Sequence, residues 1–95
     1  MFEAILRRIR QRIRQGRYVM TLHAEEEMDE DNLSLLDIEH VVLTGSLLQR
    51  KRDRKTREWK YLIEGRTTGE TRAAVIGKLS PTGTVVIITV YAEEA

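Results

Sequence analysis

The chain has 95 residues, with sixteen Lys or Arg, fifteen Asp or Glu, and no cysteine. This length fits one small domain over residues 1–95, and the lack of cysteine excludes a disulfide framework and thiolate metal sites. The net charge is only +1, but six arginines fall in residues 1–17, eight acids and no bases in 23–40, and seven basic residues in 50–60. Such segregation creates strong local fields.

No apolar run is long enough to cross a bilayer, and no signal-peptide core follows the basic N-terminus. We therefore expect a cytoplasmic protein. The two histidines, His23 and His40, are seventeen positions apart, which is not a zinc-binding spacing. We expect no metal and no cofactor.

Residues 1–17 predict a basic N-terminal helix. Its apolar stripe has helical spacing and consists of Phe2, Ile5, Leu6, Ile9 and Ile13. Gly16 is placed to end the helix. The arginines on the other face are compatible with a solvated surface, a phosphate-binding surface or an anionic membrane contact, and the apolar stripe is compatible with pairing in a homodimer.

Residues 18–45 predict a helical region that starts with a short β-like piece at 18–21. Thr21 is placed to cap a second helix that Asn32 ends. Ser34 is placed to cap a third helix, with Asp37 completing a capping box.

After Gly45 the apolar period changes to two, so residues 46–95 predict an antiparallel sheet. The predicted strands are 46–52, 58–64, 72–79 and 85–91. The last strand is apolar on both faces, which predicts a central position. The predicted fold is α+β, with the N-terminal helices packed on one face of a twisted, mainly antiparallel four-stranded sheet.

Few side chains can transfer protons near neutral pH. His23 is the first candidate because imidazole is the side chain that most readily exchanges protons at this pH, although a capping or packing role is the plainer interpretation of a histidine near a helix start. His40 lies among apolar neighbours on the third helix and is expected to be structural. Tyr91 ends the last strand, where its hydroxyl could donate a proton or simply lie in water.

The segment 50–61 combines cations with aromatic side chains. Cations neutralise phosphate and aromatic rings stack on unpaired bases, so the composition is typical of an RNA-binding surface. A charged hairpin that is merely solvated, or that protects a sheet edge, has a similar composition. The candidate RNA-binding residues are Arg50, Lys51, Arg52, Arg54, Lys55, Arg57, Trp59 and Tyr61.

Three segments resemble a bacterial family of small domains of unknown function. They are Tyr18 to Ala24, Leu33 to Val42 and Gly83 to Tyr91. That family is similar to the RelE/ParE toxin superfamily, which includes MqsR-like and BrnT-like toxins. The resemblance implies a RelE-like fold and the toxin half of a toxin–antitoxin pair. It also implies a cognate antitoxin protein, often with a YgiT-type zinc finger.

The activity that the resemblance implies is metal-independent cleavage of mRNA, in some relatives on the ribosome. Such cleavage needs a base, an acid and cations for the phosphate charge. His23 and Tyr91 match the family's histidine and tyrosine, so the resemblance implies proton transfer by one of them. Arg72 and Lys60 are cations on predicted strands, and we expect them to stabilise the phosphate charge. One departure favours the alternative of a non-catalytic RNA- or protein-binding module: Glu27 and Asp31 stand near positions where the family usually has arginine.

Overall fold

The computed structural model describes residues 2–93. Three helices are present: α1 (Glu3–Arg14), α2 (Leu22–Glu30) and α3 (Leu35–Thr44). Five strands form one sheet in the order β1-β5-β4-β3-β2. They are β1 (Tyr18–Met20), β2 (Ser46–Arg52), β3 (Trp59–Arg66), β4 (Arg72–Leu79) and β5 (Val85–Ala92). Among residues 2–93 there is no helix with the length and hydrophobicity needed to span a membrane.

The sheet has five strands, and the predicted number of four was wrong. The additional strand, β1, pairs in parallel with β5, with Tyr18 opposite Val85 and Met20 opposite Ile87. The other three pairings are antiparallel. β5 therefore has a strand on either side, which agrees with its apolar sequence. The Tyr18 hydroxyl donates a hydrogen bond to Glu39 on α3, so β1 is also tied to the helical layer.

The helix ends follow the short-range signals in the sequence. The Thr21 hydroxyl accepts a hydrogen bond from the amide of Ala24, and Ser34 and Asp37 form a complete capping box. Gly16 and Asn32 follow the ends of α1 and α2 with positive φ angles of 70° and 54°. This left-handed conformation favours glycine or asparagine, and it stops a helix without a steric penalty.

The core lies between the helices and one face of the sheet. α3 packs on β3 and β4, while α1 packs against α3 and β5. Large apolar side chains fill the interface, chiefly Ile9, Ile13, Ile38, Val41, Val42, Ile63, Val75 and Ile87. The end of α3 approaches β3 closely at Gly45, where a Cβ atom would meet the carbonyl oxygens of Glu64 and Val41. Glycine is therefore required where α3 turns into the sheet.

The other face of the sheet, here called the open face, has no helix packed on it in the described chain. Its side chains alternate with the core side chains and form three long cross-strand rows, with Arg66 opposite Arg72 in a further row at one end. The middle row contains Leu62 and Ile76, with Gln49 opposite Leu62 and Thr89 opposite Ile76, and Leu48 and Ile88 lie where the register shifts. The first flanking row contains Lys51, Lys60, Lys78, Val86 and Val19. The second contains Ser46, Glu64, Ala74 and Tyr91.

Candidate nucleic-acid interface

The hairpin of β2 and β3 presents the basic segment as an ordered structure. Its turn is held by Asp53, whose carboxylate accepts hydrogen bonds from the amides of Lys55 at 2.8 Å and Thr56 at 3.1 Å. These bonds, with a smaller contribution from the charge of Lys60, lower the pKa of Asp53. Arg57 takes a positive φ of 63° and donates its amide to the Asp53 carbonyl. The basic side chains therefore extend from a fixed backbone.

Trp59, the first residue of β3, packs against the core, and its ring contacts two arginines of β2. The guanidinium carbon of Arg50 is 4.1 Å from the centroid of the Trp59 ring, and that of Arg52 is 4.8 Å away. Both distances are typical of cation–π contacts. Because Arg52 pairs directly with Trp59 across the strands, the stack follows from the sheet register. It fixes two cations and one aromatic ring within a small area.

Most cations of the hairpin have no acidic partner. Within residues 2–93, none of Arg50, Lys51, Arg52, Arg54, Lys55 and Arg57 lies within salt-bridge distance of a carboxylate, and all six are exposed. Lys60 differs, because its Nζ atom is 3.6 Å from the carboxylate of Asp53. The hairpin is therefore a concentrated, uncompensated positive surface.

A surface pocket of about 370 Å³ adjoins the Arg–Trp–Arg stack. It is lined by Ile5, Arg8, Glu58, Trp59, Tyr61, Leu79, Ser80 and Pro81. Tyr61 is only 7% exposed and belongs to the core, so its ring does not offer a free face to a base. Arg8 is exposed at the rim and adds a cation from α1. The sequence spacing alone does not bring Arg8 and Trp59 together.

His23 lies on α2, beside the edge of β5. Its Nε2 atom is 3.1 Å from the Glu27 carboxylate, and 66% of the side chain is exposed. The same oxygen of Glu27 accepts a hydrogen bond from the amide of Val90 at 3.3 Å, and Asp31 accepts one from Ala92 at 2.8 Å. These acids therefore satisfy the backbone of β5 beyond the end of β1. His23 is brought close to the residue that precedes Tyr91.

Tyr91 and Arg72 lie at one end of the open face. Tyr91 is opposite Ala74, which makes Arg72 its diagonal neighbour on β4. Two carboxylates contact the Arg72 guanidinium, that of Glu64 at 3.3 Å and that of Glu93 at 3.5 Å. A hydrogen bond to Glu64, together with desolvation and the Glu64 charge, raises the pKa of Glu93 despite the opposing effect of Arg72. Arg72 is thus ion-paired with Glu64 and Glu93.

Lys60 does not join this group. Arg66 pairs with Arg72, so Lys60 is six residues along β3 from the Arg72 position. At about 3.3 Å per residue, the two positions are separated by roughly 20 Å. The open face therefore carries Tyr91 with Arg72 at one end and Lys60 at the other.

Arg10 shows a different use of a basic residue in α1. Its guanidinium donates to the carbonyl of Val42 at 2.9 Å and to that of Gly45 at 2.6 Å. These are carbonyls at the end of α3, where a cation also meets the negative end of the helix dipole. Arg10 therefore stabilises the packing of α1 on α3. His40, expected to be structural, contacts the Arg66 carbonyl through Nδ1 at 2.7 Å.

Comparison with known families gives a match over most of the chain. A family described as "Domain of unknown function (DUF4258)" matches residues 20–92. The chain belongs to this family. The match runs from the last residue of β1 to the end of β5, so it contains α2, α3 and strands β2 to β5, while α1 and most of β1 precede it. The searches of curated proteins and of solved structures gave no match.

Proposed function

We propose that this DUF4258 chain is a cytoplasmic RNA-binding module that holds single-stranded RNA on the β2–β3 hairpin. The observation that carries the proposal is the Arg50–Trp59–Arg52 stack, surrounded by cations without acidic partners. Phosphates are attracted by such cations, and unpaired bases stack on aromatic and guanidinium planes. The adjoining pocket, with Arg8 at its rim, continues this surface onto α1.

The contacts of the other candidate residues favour binding over cleavage. Arg72 is held by two carboxylates, and Lys60 is paired with Asp53 at a distant position. A phosphate at either cation would have to compete with an acid that is already present. By contrast, the exposed cations of the hairpin can take up phosphate without breaking an ion pair.

A binding titration with a fluorescently labelled single-stranded RNA tests the proposal. We expect an Arg50→Ala, Arg52→Ala double variant to bind at least about tenfold more weakly, because it loses two phosphate contacts and the stack. The matched control is Arg7→Ala, Arg14→Ala, which removes the same charge from the exposed side of α1. Equal losses in both variants would show that only net charge matters and would contradict an interface on the hairpin.

A second candidate function is metal-independent cleavage of mRNA by the toxin of a RelE-like toxin–antitoxin pair, with a cognate antitoxin as partner. The observations that favour it are the contact of His23 with Glu27, which can orient an imidazole for proton transfer, and the placement of Tyr91 beside Arg72. The family resemblance also supports it.

Incubation of the purified protein with cellular RNA in EDTA, with and without translating ribosomes, tests this second candidate. Cleavage by the wild type, lost in a His23→Ala, Tyr91→Ala double variant, is the expected result of a toxin. RNA that stays intact in both conditions, while the titration shows binding, would exclude cleavage and leave the binding module.

A further inference from the structure

The surface pocket beside the Arg–Trp–Arg stack contains a tyrosine hydroxyl without a hydrogen-bond partner. Tyr61 lines this pocket and is 7% exposed. Among residues 2–93, Nε of Arg12 is the sole fully enclosed side-chain polar atom without a partner, so the unpaired Tyr61 hydroxyl must reach solvent. The other cavity that Tyr61 borders is an apolar one of about 10 Å³ in the core. The hydroxyl therefore opens into the surface pocket, and because buried tyrosine hydroxyls usually have a partner, it indicates a site that a ligand completes.

The rest of the lining is mainly apolar, with one uncompensated cation. The apolar walls come from Ile5, Trp59, Leu79 and Pro81. Arg8 has no salt-bridge partner within residues 2–93, whereas the Glu58 carboxylate is 2.9 Å from Lys78 Nζ and is therefore neutralised. A volume of about 370 Å³ with apolar walls and a few polar groups is typical of a site for a small organic group.

We propose that this pocket takes one unpaired base of the RNA strand that the hairpin binds, an inference that rests on the proposed function. The base leaves the stack of its neighbours and enters between the apolar walls beside Trp59. The Tyr61 hydroxyl forms a hydrogen bond with the edge of the base, and Arg8 contacts a neighbouring phosphate. Single-stranded RNA is commonly recognised in this way, through bases that are turned out of the strand.

The distribution of charge around the pocket matches that of a nucleotide. A base is flat and uncharged, which suits the apolar walls, and its phosphates are anionic, which suits Arg8 at the rim and the free Arg50 and Arg52 of the adjoining stack. A tyrosine hydroxyl can both donate and accept a hydrogen bond, so it can meet the edge of any of the four bases. The pocket is therefore expected to strengthen binding without fixing the RNA sequence.

Removal of the hydroxyl alone tests the contact with the base. Tyr61→Phe keeps the buried ring, and because the hydroxyl has no partner within residues 2–93, circular dichroism melts should show unchanged stability. The affinity for a fluorescently labelled single-stranded oligoadenylate should fall about fivefold, a typical loss for one hydrogen bond. Tyr18→Phe is the matched control, because it removes a hydroxyl on β1, at the opposite edge of the sheet from β2, and should leave RNA affinity unchanged.

A comparison of two neighbouring arginines tests the contact at the rim. Arg8→Ala should weaken binding of the same oligoadenylate and reduce the magnitude of the salt slope by about one, because one phosphate contact is lost. Arg7→Ala is the matched control, because it removes the same charge from an exposed position of α1 outside the pocket lining. Equal effects of the two variants would contradict a phosphate contact at Arg8.

A single abasic position, moved along the oligoadenylate, locates the base. On the strand that lacks the base held in the pocket, Tyr61→Phe should cause no further loss, because both changes remove the same hydrogen bond. Equal RNA affinity of wild type and Tyr61→Phe, with binding that still depends on Arg50 and Arg52, would overturn the base pocket and leave RNA binding by the hairpin intact.

Two further outcomes separate this inference from the proposed function. No RNA binding by the wild type would overturn both. Adenosine monophosphate that binds the wild type but not Tyr61→Phe, while RNA affinity is the same in both, would show a site for a free nucleotide and would overturn the assignment to the RNA strand.

Discussion

Individual charged residues of this chain have roles that residue type alone does not reveal. Arg10 belongs to the arginine-rich helix, yet its guanidinium is bound to carbonyls at the end of α3. Asp37 likewise combines two tasks. Its carboxylate accepts from the amide of Ser34 at 2.9 Å and from the hydroxyl of Thr68 at 2.8 Å, which links the start of α3 to the loop after β3. The contacts of Arg10 with α3 and of Asp37 with Thr68 each join residues more than thirty positions apart.

The contacts of Asp37 predict a stability that depends on pH. The hydrogen bonds from Ser34, and then from Thr68, lower the pKa of Asp37 in the folded chain. A lowered folded-state pKa gives stability that is present above the unfolded pKa of about 3.9 and is lost as pH falls through the folded pKa. Asp37→Asn should therefore lower the free energy of unfolding at neutral pH by about 1 kcal/mol, a typical value for a helix cap.

Urea denaturation at neutral and at strongly acidic pH measures this difference. The difference in the free energy of unfolding between wild type and Asp37→Asn should become smaller in acid, because the carboxyl is then protonated in both the folded and the unfolded chain. Asp29→Asn, an exposed acid on α2, serves as the control. A difference in unfolding free energy that stays constant with pH would show that the charge of Asp37 does not stabilise the fold.

At the scale of the elements, acidic side chains on and just after α2 bond to the part of the β5 edge that β1 leaves unpaired. β1 pairs only with the first part of β5, and beyond it Glu27 and Asp31 accept hydrogen bonds from the amides of Val90 and Ala92. Bare strand edges invite pairing with other chains, so these acids protect the sheet as well as stabilise it. The acids that depart from the family resemblance thus have a structural role.

Removal of both carboxylates should expose this edge. Glu27→Ala, Asp31→Ala is expected to lower stability by about 2 kcal/mol, because two backbone donors lose charged acceptors at a partly exposed site. Amide hydrogen exchange should also become faster at Val90 and Ala92. The control, Glu26→Ala with Glu30→Ala, removes the same charge from exposed positions of α2. Unchanged exchange at both amides would contradict the protective role.

Local signals in the sequence predicted most of the elements. The caps at Thr21 and Ser34 and the period of two after Gly45 placed α2, α3 and β2 to β5 within two residues of their observed bounds. The sequence predicted only a short β-like piece at β1 and did not place it in the sheet. Three residues carry little pattern, and the partner strand β5 lies more than sixty positions later. The burial of Tyr61 was also missed, since alternation along a strand does not tell which face is covered.

At the scale of the whole molecule, the sheet separates two surfaces. The helix side carries the core and, at its margin, the Arg–Trp–Arg stack, while the open face carries both aliphatic and charged side chains. Sequence composition predicted the basic hairpin, but only the register places Arg50 and Arg52 on Trp59.

Trp59 is the only tryptophan of the chain, so its fluorescence reports directly on the proposed interface. A titration with single-stranded RNA should change the intensity of this fluorescence, because a base would stack beside the ring or displace an arginine. The affinity should fall steeply with salt, with a logarithmic slope of up to about −4 if all six free cations contact phosphate. RNA that binds without altering Trp59, or no binding at low salt, would contradict RNA recognition by the hairpin.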